Sequence, residues 1–165
     1  MAHTSHKVSG INFSTGSLGH GLPVASGVAL ANKLNKKNSK TFVLLSDGEL
    51  NEGSNWEAFL FCSHHNLKNL VIIIDYNKIQ ALTKLEDALP LDSLAEKFRA
   101  FKWNCIEVKK GHSFEALIKV FKKDIKNKKP TVFIIHTTKG KGIKEFENDP
   151  VWHARQLKGE EIVIG

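Results

Sequence analysis

Two side chains in this sequence stand where a hard metal ion would want them. Asp47 closes a short apolar run, Thr41-Phe-Val-Leu-Leu-Ser46, and is followed by Gly48. Asn77 closes the next such run, which begins at Leu70. One strand–helix–strand unit would bring both residues to the same edge of a sheet. A carboxylate, an amide oxygen and a nearby backbone carbonyl form an all-oxygen donor set. That set suits Mg²⁺, an ion usually shared between one or two carboxylates and substrate phosphates. Gly48 would let a phosphate come close to the backbone. The spacing therefore suggests a metal-bridged diphosphate. The plain alternative is that Asp-Gly and Tyr-Asn are turn residues behind strands. Spacing alone favours it, because Asp-Gly is a common turn dipeptide.

The elements that must position these residues are legible as alternating runs. Continuous apolar stretches rich in Val and Ile, at 41–46, 70–75, 104–108 and 131–136, predict buried parallel strands. Between them, helices are expected over Leu18–Leu34, Asn55–Asn66, Leu91–Phe101 and Ser113–Ile125, the last opened by a Ser cap. The expected fold class is α/β, a mostly parallel sheet with helices on both faces. Ligands of such sheets bind beyond the carboxyl ends of the strands. The residues to interrogate are Asp47-Gly48, Asp75-Tyr76-Asn77 and Thr137 to Gly142.

The chain has 165 residues, 41% hydrophobic and 25% charged, which describes one globular domain and excludes disorder. No apolar run approaches the roughly 20 residues of a membrane span. The start, Met1-Ala-His-Thr-Ser-His6, lacks the apolar core of a secretory signal. Two cysteines, Cys62 and Cys105, make neither a disulfide framework nor a metal cluster and fit a reducing cytoplasm as buried thiols. Lys and Arg outnumber Asp and Glu 24 to 17, a net charge of +7. The excess lies in short groups (Lys36-Lys37 with Lys40, Lys109-Lys110, Lys122-Lys123 with Lys126 and Lys128-Lys129). These are expected to be solvated faces and helix ends. Without the aromatic interleaving of single-strand binders, neither nucleic acid nor a membrane is an expected partner.

The neighbourhood of Asp47 outweighs the plain alternative. Ser46-Asp-Gly-Glu-Leu-Asn-Glu-Gly-Ser-Asn-Trp-Glu-Ala58, followed by Asp75-Tyr-Asn-Lys-Ile-Gln80, resembles the thiamine-diphosphate motif of transketolases. Upstream, Ser14-Thr-Gly-Ser-Leu-Gly-His-Gly-Leu22 is similar to the family's glycine-rich segment. Downstream, Lys139-Gly-Lys-Gly142 and Asn148-Asp-Pro-Val-Trp-His153 resemble late segments of the same domain. The likeness runs from about His3 to about Arg155. It is closest in style to the amino-terminal subunit of split bacterial transketolases.

The resemblance implies a set of roles. Asp47, Asn77 and the backbone carbonyl of Ile79 would hold Mg²⁺ or Ca²⁺, and Gly48 would meet the diphosphate of thiamine diphosphate. Gly16 and Leu18 match positions that contact the cofactor's rings, and Glu49 falls among the cofactor-binding residues. Glu52 and Glu57 match glutamates of a carboxylate network between paired active sites. His153 matches a histidine near diphosphate and substrate. His3 matches a substrate-side histidine across a gap. The implied reaction moves a two-carbon ketol unit from a ketose phosphate to an aldose phosphate. A homo- or hetero-oligomer is implied, with a pyrimidine-binding subunit or domain supplying the activating glutamate.

Other readings belong beside these. Glu52 and Glu57 also suit a helix start for their charge alone. His64, His65, His112 and His136 are expected to be structural or surface residues, His20 is a cleft candidate, and Trp56 and Trp152 should pack. Another thiamine-diphosphate enzyme, or a catalytically idle binding module, are alternatives. A nucleotide-binding oxidoreductase is not, because Gly16-x-x-Gly19-x-Gly21 lacks the dinucleotide spacing and follows no strand. The sequence departs from the family in Ser46 for the usual Gly and in Ala81-Leu82-Thr83 for Asp-Gly. Residues 1–165 are expected to form a single diphosphate-binding domain, short on its amino-terminal side and lacking the pyrimidine domain, and hence inactive alone.

Overall fold

The protein is described from a computed structural model, which covers residues 3–124 and 128–155. The expected alternation of elements is present. Helix α1 (Gly21–Leu34) precedes strand β1 (Thr41–Ser46) and a 3-10 turn (Gly48–Asn51). Then follow α2 (Gly53–His64), β2 (Leu70–Tyr76), a short α3 (Leu85–Ala88), α4 (Leu94–Ala100) and β3 (Asn104–Val108). Helix α5 (Phe114–Asp124), β4 (Thr131–His136) and 3-10 turns at Lys144–Phe146 and Pro150–His153 complete the order. The four strands are all parallel, in the order β1-β2-β4-β3. The last strand in sequence is thus an inner strand, and five of its six residues are buried.

Each strand is a continuous apolar run because both its faces are used. On one face Val43, Leu45, Leu70, Ile72, Ile74, Val132 and Ile134 pack with α1, α2 and α4 through Leu22, Ala29, Phe59, Cys62 and Phe98. An aromatic group anchors this layer. The Phe98 ring meets Phe59 edge-on at 4.8 Å, and Trp56 stacks on Phe98 at 6.1 Å. The indole N–H of Trp56 donates to the carbonyl of Leu50 at 2.7 Å, so the expected packing tryptophan also ties α2 to the turn after β1. On the opposite face α5 lays Leu117, Val120 and Phe121 over Val71, Val108, Phe133 and Ile135. That cover does not reach β1, where Phe42 and Leu44 are 62% and 71% exposed.

Element ends differ from expectation for local reasons. Helix α1 starts at Gly21, not Leu18. Gly19 is left-handed (φ +77°), and its N–H and C=O are taken by the side chains of Glu49 and Ser54, so neither serves a helix. Helix α2 ends at His64 because Asn66 turns left-handed, φ 44°. Helix α4 begins at Leu94 behind a left-handed Ser93, φ 55°. Strand β2 runs one residue further, through Tyr76, and the short α3 was not foreseen. Ser113 caps α5 as expected, its Oγ accepting from the N–H of Ala116 at 3.2 Å. The expected helix end at Ile125 and the lysine at Lys126 lie outside the described residues. Cys62 is buried, but Cys105 is only half-buried, which corrects the expectation of two buried thiols. Burial pushes both thiols up to about 11, so neither is a reactive thiolate. Among the described residues no helix is long and apolar enough to cross a membrane.

Candidate active site

The carboxyl ends of β1 and β2 lie side by side, with Ser46 paired to Asp75. Asp47 follows directly and is fully buried. Its Oδ1 accepts the Gly48 N–H at 2.8 Å and its Oδ2 accepts the Lys78 N–H at 2.5 Å. The carboxylate therefore clasps the chain beyond β2. Burial raises its pKa above the usual carboxylate value, and Asp75 adds to the rise, against the lowering effect of the backbone N–H groups. Asn77 turns its Oδ1 back to the N–H of Ile79 at 2.9 Å. That fold-back is an Asx turn. It carries the chain into a small loop closed by an antiparallel bridge between Ile79 and Lys84.

Two clefts open at this edge. The first, about 300 Å³, is lined by His3, Gly16, Leu18, Ser46, Glu49 and Asp75 among others. A Cβ on Gly16 would come within 3.2 Å of the His3 ring, so a bare glycine lets His3 lie against this loop. Glu49 fixes the same loop by accepting the Gly19 N–H at 3.0 Å. The second cleft, about 400 Å³, is lined by Tyr76, Asn77, Lys78, Ile79, Leu91 and Asn148 among others. The expected site residues thus divide. His3, Gly16, Leu18 and Glu49 share one cleft, Asn77 and Ile79 share the other, and Asp47 with Gly48 marks the strand end from which both open.

The remaining expected residues lie apart from these linings. Glu52 is the exposed residue ahead of α2, and its Cβ and Cγ lie beneath Gly19. Glu57 is exposed on α2. His153 is exposed, with Nδ1 3.2 Å from the Lys139 ammonium; partial burial, then Lys139, push its pKa down, so it stays neutral and accepts. The same late segment reaches the second cleft through Asn148. Ser46, which replaces the usual glycine, does not need a left-handed backbone. Its Oγ accepts the Glu49 N–H at 3.1 Å and caps the turn. His112 accepts the Thr138 N–H at 2.7 Å, and His136 lies 3.1 Å from Glu107. His20 bonds within its own turn, to Leu18 O at 3.0 Å.

Sequence reasoning passed over Lys78 and Lys139. Both sit inside the quoted motifs, but only the fold shows Lys78 tied to Asp47 and Lys139 beside His153. Among the described residues no group of three or more His, Cys, Asp or Glu could hold a metal by itself. The side-chain oxygens at the Asp47 edge accept backbone N–H groups, of Gly48 and Lys78 for Asp47 and of Ile79 for Asn77.

Residues 2–164 match the sequence profile of the family described as transketolase, thiamine diphosphate binding domain. The chain belongs to the transketolase family. It corresponds to the amino-terminal, thiamine-diphosphate-binding segment of transketolases. It is 43% identical over 159 residues to an apulose-4-phosphate transketolase subunit of Actinobacillus succinogenes, covering 96% of this chain and 57% of that protein. The like-named subunit of Phocaeicola vulgatus is 43% identical over 152 residues, 92% of this chain and 54% of the relative. The chain thus spans just over half the length of these relatives. Human transketolase is 38% identical over 156 residues, 94% of this chain and 25% of the human protein. The crystal structure of transketolase from Campylobacter jejuni superposes with a TM-score of 0.80 at 30% identity, over 86% of this chain and 23% of that one. The parallel sheet with helices on both faces is therefore the transketolase cofactor-binding fold.

Proposed function

We propose that this chain is the diphosphate-binding part of a split-type transketolase, holding thiamine diphosphate through a divalent cation and acting with a pyrimidine-binding partner chain. The observation that carries this is Asp47, a fully buried carboxylate at the strand edge whose protein contacts are backbone N–H groups. Burying an unneutralised carboxylate is costly, and a cation removes that cost. In this reading Asp47, Asn77 and the carbonyl of Ile79 hold Mg²⁺ or Ca²⁺, and the Gly48 N–H meets the diphosphate. Gly16 and Leu18 support the cofactor's rings, and Glu49 fixes their loop. Bound thiamine diphosphate supplies the chemistry of a two-carbon carrier between a ketose phosphate and an aldose phosphate. His3 lies beside that loop as a proton donor or acceptor for sugar hydroxyls. Neutral His153 offers a second such group, its acceptor nitrogen held by Lys139. In this reading Glu52 and Glu57, exposed at the start of α2 and on it, are available to a partner chain. Two relatives are themselves named as subunits of a transketolase, which supports a second polypeptide in the assembly.

Calorimetric titration of the purified chain with thiamine diphosphate and MgCl₂ tests the reading. Saturable binding that EDTA abolishes and Asp47→Asn removes is the expected result. Ketol transfer is expected only after a pyrimidine-binding transketolase chain is added. Binding indifferent to both EDTA and Asp47 would overturn the metal assignment. Transfer by the chain alone would overturn the need for a partner.

A further inference from the structure

Lys78 stands between the two proposed metal ligands Asn77 and Ile79, and its backbone is left-handed, φ 66°. Among the described residues six non-glycine positions share that conformation. Lys36, Asn66 and Lys102 follow the ends of α1, α2 and α4, Ser93 precedes α4, and Asn148 follows the 3-10 turn at 144–146. Past a helix end, as at Lys36, Asn66 and Lys102, left-handed residues are routine. Lys78 alone of the six adjoins no helix. Its conformation is enforced from both sides. The N–H donates to Asp47 Oδ2 at 2.5 Å and the C=O accepts the Leu85 N–H at 2.9 Å. A side chain at such a position is sterically unwelcome, and glycine would do the backbone's work better. Strain of this kind gathers at ligand sites.

The side chain has a place to act. Lys78 lines the 400 Å³ cleft with Tyr76, Asn77 and Asn148. Its ammonium lies 5.7 Å from the centre of the Tyr76 ring, and among the described residues no ion pair engages it. The other charges in that lining, Lys84 and Glu86, pair with each other at 3.6 Å, so Lys78 is the charged side chain of the lining without an ion-pair partner there.

We propose that Lys78 is a phosphate-positioning residue, its ammonium binding a phosphoryl group in the cleft beside Asn77. This rests on the cofactor reading above but adds a residue to it. A phosphoryl group could belong to the cofactor's diphosphate or to a sugar phosphate, and the test separates them. The full 165-residue chain and its Lys78→Gly, Lys78→Asn and Lys78→Arg variants are titrated with thiamine diphosphate, inorganic pyrophosphate and fructose 6-phosphate, each with Mg²⁺. Gly and Asn suit the left-handed backbone, so thermal melting should not fall and a loss of binding cannot be blamed on misfolding. We expect about tenfold weaker binding in Lys78→Gly and Lys78→Asn and retention in Lys78→Arg. Weakening of thiamine diphosphate and pyrophosphate assigns the diphosphate; weakening of fructose 6-phosphate alone assigns the sugar phosphate. Wild-type binding of thiamine diphosphate that all three variants match, with no ligand weakened, overturns the proposal and leaves the cofactor reading standing. Lys78-dependent binding of pyrophosphate without binding of thiamine diphosphate upholds the proposal and overturns the cofactor reading. A wild-type chain that binds none of the three overturns both.

Discussion

Asp47 commits both carboxylate oxygens to the fold, accepting the N–H groups of Gly48 and Lys78, and they are the same oxygens that the proposed cation would use. Its pKa is raised in the folded chain, so the native state holds a proton there more tightly than the unfolded state does. The stability linked to that proton is fully present below the ordinary carboxylate pKa and is lost as pH rises through the raised one. Ionisation of the cation-free carboxylate therefore weakens the fold. Urea denaturation from pH 7 down to pH 4 should show wild type gaining stability relative to Asp47→Asn, which does not titrate. Stabilisation by Mg²⁺ with thiamine diphosphate should be largest near neutrality and fade toward pH 4, because the proton competes for the same oxygens; thermal melts across that range measure it. The position of Asp47 and Asn77 just beyond β1 and β2 was legible in the sequence because strand ends are easy to place. The work of Glu49 and Lys78 was not, since their partners Gly19 and Asp47 lie some thirty residues away.

At the scale of elements, the loop ahead of α1 is set by one glycine. A Cβ on Gly19 would sit 2.4 Å from Ser54 Oγ and 2.8 Å from Glu52 Cβ, on a left-handed backbone. Gly19→Ala should cost about 2–4 kcal/mol in chemical denaturation, combining backbone strain and overpacking. Gly27, exposed within α1 with open space around it, is the contrasting case; Gly27→Ala should stabilise by about 0.5–1 kcal/mol. Phe98 is fully buried against Phe59, Trp56 and Trp103, and Phe98→Ala should cost about 3–5 kcal/mol and loosen α4 from β3. All four strands could be read from Val- and Ile-rich runs stopped by turn residues. Helix starts were harder. Leu18 fits the apolar pattern of α1, yet side chains from the 3-10 turn and α2 claim the backbone of Gly19 and move the start to Gly21. Periodicity reports which residues face a core, and a tertiary hydrogen bond is invisible to it.

At the scale of the whole molecule, the described residues cover the two sheet faces unequally. Phe42 and Leu44 continue the apolar surface that α5 covers on β2 and β4, but lie open on the edge strand. Exposed apolar edges invite association. Sedimentation velocity of the purified chain should show self-association that rises with concentration and falls in the Phe42→Thr, Leu44→Thr double variant, with cooperative unfolding retained. Two of the described lysines are engaged at the surface: Lys33 reaches the carbonyl of His65, and Lys109 pairs with Glu107. The strand order has a consequence for how the chain is made. Because β4 lies between β2 and β3, a ribosome that has released only the first three strands has released two pieces that cannot yet touch as a sheet. The strand that joins them emerges after all three, and domains assemble as units once their chain is available. Until then Ile72, Ile74 and Cys105 wait without their neighbour, so the nascent chain should depend on chaperones longest just before residue 136 leaves the tunnel.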